Sequence, residues 1–232
     1  MKNLIVTGST RGIGLQIANY FIESGVHVIG CSRGPGVITS DKYEHHQVDL
    51  TDEKHVRSWA RTIKLAHKSV DAVVCNVGLA KSKLLMPMVS SELLNSFIQT
   101  NFVAAYLTCR EIGKIMVQQR YGRIINMSSI MTGMHVAGTS AYSSTKAAVE
   151  EMTKVLAVEV AQTGVTCNAI ACSTMLTESV RDLGEEWMSK MLAAQTMKRP
   201  LEVAELCSVI RYLGGRESSA VTGQVINLCM VV

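Results

Sequence analysis

Residues 3–14, Asn3-Leu4-Ile5-Val6-Thr7-Gly8-Ser9-Thr10-Arg11-Gly12-Ile13-Gly14, open the chain with a short apolar run that breaks on a glycine-rich turn. The run has the length of a buried strand, and a helical period follows from Gly12 to about residue 24. Strand, glycine turn and helix in that order form the setting that a dinucleotide pyrophosphate requires. Gly8 makes the tight turn, Gly12 lets the backbone approach phosphates, and Gly14 lets the helix pack closely on the strand. Ser9, Thr10, Arg11 and Ile13 complete the candidate cradle.

Outward from this turn, short apolar runs bounded by glycine or polar residues alternate with longer segments of helical period. Strands are expected at residues 3–7, 26–31, 44–48, 70–75, 122–127, 164–170 and 223–229, and helices near 12–24, 52–66, 90–118, 140–162 and 201–213. The alternation implies a parallel sheet covered on both faces, an α/β doubly wound fold whose ligands sit beyond the carboxyl ends of the strands. No linker divides the chain, so residues 1–232 are read as one domain.

Composition narrows the class. With 47% hydrophobic, 18% charged and 5% aromatic residues, the chain fits a globular enzyme rather than a disordered or coiled-coil protein. No run of about 18 apolar residues is present, and the first glycine turn comes too soon for a signal peptide, so a cytoplasmic protein with no membrane partner is expected. The net charge of +4 is spread along the chain and forms no nucleic-acid stripe. Seven cysteines, with no C-x-x-C pair and no clustering with histidine, read as free thiols in a reducing compartment and give no metal site.

Tyr142 and Lys146 stand four residues apart in Ala141-Tyr142-Ser143-Ser144-Thr145-Lys146, shortly after the pair Ser128-Ser129. In a helix that spacing puts phenol and ammonium on one face. The cation's field is then expected to favour phenolate and lower the tyrosine's pKa, tuning it for proton transfer near neutral pH.

The first turn reads G-x-x-x-G-x-G. With Asn76-Val77-Gly78 after the fourth strand, Asn101 in the next helix, Ser129, and Tyr142 with Lys146, it resembles the short-chain dehydrogenase/reductase family across essentially the whole chain. The resemblance implies a Rossmann-type, seven-stranded NADP-binding oxidoreductase domain that transfers hydride to or from a nicotinamide and assembles as a homo-oligomer, dimer or tetramer. It implies Tyr142 as the acid and Ser129 as the donor to the carbonyl oxygen. Lys146 would bind the nicotinamide ribose and lower the tyrosine pKa, and Asn101 would anchor a water beside the lysine. Asn76 and Gly78 would pass close to the ribose.

Cofactor choice follows from charge. Where an NAD-preferring site offers a carboxylate after the second strand, this chain has Cys31-Ser32-Arg33, with Arg11 in the glycine turn. Two guanidinium groups and a hydroxyl suit a 2′-phosphate, so NADPH is expected. Asp49-Leu50 resembles the family's adenine contact; Asp49 reads equally as a helix N-cap, a role Thr51 or Asp52 could share.

Two departures from the family stand out. Asn168-Ala169-Ile170-Ala171-Cys172-Ser173 replaces Asn-x-x-x-Pro-Gly, although Thr177 keeps the offset of the residue that contacts the carboxamide. The apolar tail Cys229-Met230-Val231-Val232 replaces Asp-Gly-Gly and calls for cover, from the chain's own core or, as favoured here, a neighbouring subunit.

Within the family the pattern, including Arg199-Pro200 and Val221-Thr222-Gly223-Gln224, looks most like the β-ketoacyl carrier-protein reductases. That resemblance implies reduction of a 3-oxoacyl thioester, with Arg120 and Arg123 gripping an acyl-carrier protein. Met175, Trp187, Met188, Met191, Met197, Met131, Met134 and His135 would rim the substrate, or else fill core. Two alternatives remain: a dehydrogenase or reductase of free small alcohols or ketones, and a non-catalytic NADP-binding partner subunit.

Overall fold

The computed structural model of the protein describes residues 1–80, 84–176 and 184–231. Seven parallel strands form a single sheet: β1 (Asn3–Thr7), β2 (His27–Ser32), β3 (Tyr43–Gln47), β4 (Ala72–Cys75), β5 (Gly122–Ser129), β6 (Val165–Cys172) and β7 (Val225–Asn227). Their order is β3-β2-β1-β4-β5-β6-β7. The direction of winding reverses between β1 and β4, which opens a crevice at the carboxyl ends of those strands.

The helices are α1 (Gly12–Glu23), α2 (Glu53–Ala66), α3 (Ser91–Phe97), α4 (Ala104–Gln118), α5 (Met131–Met134), α6 (Ser140–Val160), α7 (Glu185–Ala194) and α8 (Val203–Gly214). Alternate strand residues face opposite layers. Ile5, Ile29, Val73 and Ile124 pack under α2, α4 and α6, with Val56, Ile63, Ile112 and Val149. Leu4, Val6, Val28, Val74 and Ile125 pack under α1 and α8, with Ile17, Phe21, Leu206 and Ile210. Burial on both faces explains why the strands read as continuous apolar runs.

Where element boundaries differ from expectation, tertiary pairing is the reason. β5 and β6 run on through Ser129 and Cys172 because the two strands stay in register from Gly122↔Val165 to Ser129↔Cys172. β7 is cut to three residues, and soon after it Cys229 takes a left-handed φ of 60°. The expected helix at 90–118 is interrupted by a π-helical segment, Ile98–Val103, and α5 and α7 were not anticipated. Asp52, rather than Asp49, caps α2, accepting from the N–H groups of Lys54 and His55. Among the described residues no helix is long and apolar enough to cross a membrane.

Candidate active site

β1 ends at Thr7, whose Oγ1 accepts from the backbone N–H groups of Asn76 at 2.8 Å and Val77 at 3.1 Å. Asn76 Nδ2 returns a bond to Thr7 O at 3.0 Å, so the ends of β1 and β4 are tied together across the crevice. Gly8 then turns with φ of 71°, its N–H donating to Cys31 O on β2 at 2.8 Å. A Cβ on Gly14 would stand 2.2 Å from Gly8 O and 2.5 Å from Asn76 Nδ2, so helix α1 can lie against the turn only with glycine there. Above Gly12, at φ of 56°, the space is open. α1 has no side-chain cap and no acid in its first turn, which leaves its first N–H groups and their partial positive charge free for an anion. Open space, uncapped donors and an absent acid together fit a dinucleotide pyrophosphate.

Ser9 turns inward. Its fully buried hydroxyl lies 2.8 Å from Tyr43 OH, which lies 2.9 Å from His45 Nδ1, and His45 Nε2 lies 3.0 Å from Gly34 O. In the neutral ring, with Nε2 donating to the carbonyl, Nδ1 accepts from the phenol and the phenol oxygen from Ser9. The Ser9 side chain therefore braces the turn from beneath and leaves only its backbone to face a ligand. Ser32 Oγ likewise donates to Gly34 O at 2.9 Å, while Arg11 and Arg33 are exposed. Asp49 Oδ1 accepts from Thr51 N at 2.9 Å and Thr51 Oγ1 at 2.7 Å. Those bonds hold its carboxyl below the usual range, and the charge of Arg33 adds to the effect.

Tyr142 and Lys146 occupy one face of α6, with Lys146 Nζ 6.0 Å from the phenol's ring centroid. The expected lowering of the tyrosine pKa is not found. Lys146 is buried and donates to Met127 O at 2.8 Å, and burial lowers its own pKa to about 8. Burial pushes Tyr142 up to about 12, opposed by the Ser129 hydroxyl. Desolvation outweighs attraction here because the ammonium is held by a carbonyl rather than by the phenol oxygen.

Asn101 sits inside the π-helical segment, a winding that recurs at functional positions. Its Oδ1 accepts from Leu79 N at 2.6 Å, and its Nδ2 donates to Leu79 O at 3.0 Å and Thr145 Oγ1 at 3.1 Å. A Cβ on Gly78 would lie 3.5 Å from both Asn101 Oδ1 and Lys146 Nζ, so the three positions converge. Ser129 ends β5, its Oγ accepting from Met131 N at 3.3 Å. Ser128 instead donates to Glu150 Oε1 at 2.5 Å, an oxygen that also accepts from Thr132 at 3.0 Å. Beyond β6, the buried hydroxyls of Ser173 and Thr174 have no partner among the described residues.

One expectation is corrected, and two that were left open are narrowed. Arg123 is buried at the amino end of β5, opposite Ser129. Its guanidinium donates to Gly215 O at 2.9 Å, Gly122 O at 2.9 Å and Gly164 O at 3.2 Å, and stacks over Tyr121. It cannot grip a carrier protein, and Arg120 lies at the same far end, in the left-handed turn that precedes the strand. Met131, Met175 and Met191 are core residues, whereas Met197 is exposed. Leu228 and Cys229 pack on the chain's own core, though Val231 stays exposed. Thr177 lies outside the described residues. Sequence reasoning missed Thr7, Thr145 and the Tyr43–His45 pair; the only available signal was Thr7's place immediately before the first glycine.

The profile of the short chain dehydrogenase family matches residues 2–187. The chain is 31% identical to a 3-oxoacyl-(acyl-carrier-protein) reductase, FabG, of Vibrio harveyi over 98% of this chain and 95% of that protein. Among solved structures, ElxO with NADP bound superposes with a TM-score of 0.90 at 28% identity, covering 97% of this chain and 96% of that one. A variant of the actinorhodin polyketide ketoreductase with NADPH gives a TM-score of 0.88 at 26% identity, covering 98% and 95%.

Proposed function

We propose, from the premise that the chain belongs to the short-chain dehydrogenase family, that it is an NADPH-dependent ketoreductase acting on a 3-oxoacyl thioester. The observation that carries the reading is the convergence of Gly78, Asn101 and Lys146 with Tyr142 and Ser129, next to the glycine cradle. Support for NADPH comes from the exposed Arg11 and Arg33 and from the NADP and NADPH held by the two structural neighbours.

Gly8 through Gly14 would hold the pyrophosphate, with Arg11 and Arg33 at the 2′-phosphate. Asp49 and Leu50 would meet the adenine, and Asn76 and Gly78 would line the ribose, above the bond network of Thr7. The hydroxyls of Ser173 and Thr174, without a partner among the described residues, fit a polar group at the end of β6. Reduced nicotinamide supplies hydride when bound.

The residues of the chain do the rest. A phenol pushed up to about 12 stays protonated at neutral pH, so Tyr142 is stocked as the acid for a carbonyl oxygen that Ser129 holds in place. Lys146, lowered to about 8, exchanges its proton close to neutrality on the same helix face as the tyrosine. Asn101 fixes the backbone at Leu79 and the hydroxyl of Thr145, which keeps the lysine's surroundings in register. Proton transfer and oxyanion stabilisation of this kind each supply roughly two or more powers of ten in rate.

The burial of Arg123 and the place of Arg120 at the same far end of the sheet favour one second reading, a free small ketone or alcohol as substrate, because they remove the expected carrier grip. NADPH absorbance followed with 3-oxoacyl thioesters, free and carrier-bound, separates the two. Turnover of the thioesters supports the proposal; turnover of free ketones alone supports the second reading. A dead protein that still binds NADPH would instead make it a non-catalytic subunit. For assembly, the exposed Tyr106 and Val117 of α4 and Val155 and Val158 of α6 form the apolar face proposed to join subunits, and a monomer by mass measurement would reject it.

A further inference from the structure

A second cluster of ligating side chains stands at the opposite end of the sheet from the glycine turn. His27 opens β2, Glu44 lies on the edge strand β3, and His67 follows the last turn of α2, its backbone N–H bonded to Ile63 O. The residues are far apart in sequence, which is why composition and spacing gave no sign of them. Pairing brings them together. Glu44 is the register partner of Ile29, and Ile29 faces the layer filled by Val56, Trp59 and Ile63 of α2. His27 is two residues before Ile29 and His46 two residues after Glu44, so all of these side chains share the face covered by α2.

The donor atoms converge. His67 Nε2 lies 3.0 Å from Glu44 Oε2 and His27 Nε2 lies 3.9 Å from the same oxygen. All three ligand atoms lie within 4.8 Å of one another. The second carboxylate oxygen, Oε1, is approached by His46 Nε2 at 2.5 Å. No lysine or arginine is recorded in an ion pair with Glu44 among the described residues; the carboxylate is surrounded by imidazoles instead.

We propose that His27, Glu44 and His67 form a binding site for one divalent transition-metal ion of the zinc class, with water at the remaining position. Two imidazoles and a carboxylate are a borderline ligand set suited to zinc and poorly suited to magnesium or calcium, which favour oxygen alone. Tetrahedral ligation at the usual zinc distances separates ligand atoms by about 3.3 Å, so only modest side-chain rotation, chiefly of His27, closes the cluster. Side-chain exposures of 33%, 34% and 12% leave a route for the ion and room for a water. Because the three ligands come from β2, β3 and α2, the bound ion clasps the edge strand to its neighbour and to the covering helix.

The test uses the tag-free full-length protein, stripped with a chelator and titrated with zinc against a competing chromophoric chelator. One equivalent of zinc per chain is expected, with cobalt giving the intense visible bands of a four-coordinate site and zinc raising the thermal unfolding midpoint. His67→Ala and Glu44→Gln should each weaken binding by at least about tenfold and abolish the zinc-dependent rise. Glu44→Gln preserves shape and keeps the test decisive if a histidine variant folds poorly. No binding to the wild type, or binding of unchanged affinity and stoichiometry in Glu44→Gln and His67→Ala, overturns the proposal and leaves the cluster as a hydrogen-bonded edge.

Discussion

Replacing Lys146 with methionine should stabilise the protein at neutral pH while destroying its activity, and the gain should shrink as pH rises. Lys146 is 5% exposed and its pKa falls from an ordinary 10.5 to about 8 because burial disfavours the charge. Below about 8 the lysine is charged in both the folded and the unfolded chain, and the penalty for burying it is present in full. Between about 8 and 10.5 the folded chain alone has shed the proton, so the unfolded chain binds more protons and stability rises with pH. The whole window corresponds to about 3 kcal/mol, of which roughly 2 kcal/mol falls between pH 7 and pH 10. Loss of the bond to Met127 O offsets part of the gain at every pH by about 1–3 kcal/mol, without altering the slope. Tyr142 titrates in both proteins and cancels in the difference. Urea unfolding of wild type and Lys146→Met, followed by circular dichroism at several pH values, measures that difference. A stability difference that stays constant across this range would mean that Lys146 is not a desolvated cation in the fold.

Gly14→Ala should fold less stably by about 1–3 kcal/mol and lose dinucleotide binding, since the added carbon meets Gly8 O at 2.2 Å; fluorescence titration with NADPH reads the loss. Arg33→Asp should shift the ratio of kcat/KM for NADPH over NADH toward NADH by roughly tenfold or more, because a carboxylate would then face the 2′-phosphate. Arg123→Leu should lower stability by about 3–5 kcal/mol, leaving the carbonyls of Gly122, Gly164 and Gly215 without their donor. KM for any carrier-bound substrate should be unchanged in that variant.

The parts of the fold that rest on local chemistry were legible in the sequence. The turn from Gly8 to Gly14 announces itself because backbone freedom and close approach require glycine, and the four-residue spacing of Tyr142 and Lys146 fixes their common face in any helix. The family resemblance pointed to Ser129 rather than Ser128, and the bond from Ser128 to Glu150 commits the other hydroxyl elsewhere. Features decided by distant packing were not legible. Arg123 reads as a surface cation until three carbonyls from β5, the turn before β6 and the end of α8 are folded around it. The π-helical winding at Asn101 leaves no periodic trace over six residues. The bond between Lys146 and Met127 O, which reverses the expected tuning of the tyrosine, depends on where β5 ends beneath α6.

The most direct measurement is NADPH consumption by Tyr142→Phe at saturating 3-oxoacyl thioester, with cofactor affinity checked in the same preparation. Turnover should fall by at least roughly a hundredfold while NADPH binds as in the wild type, because only the proton donor is gone. Turnover within a few fold of the wild type would contradict the assignment of the phenol as the acid and, with it, the proposed ketoreductase chemistry.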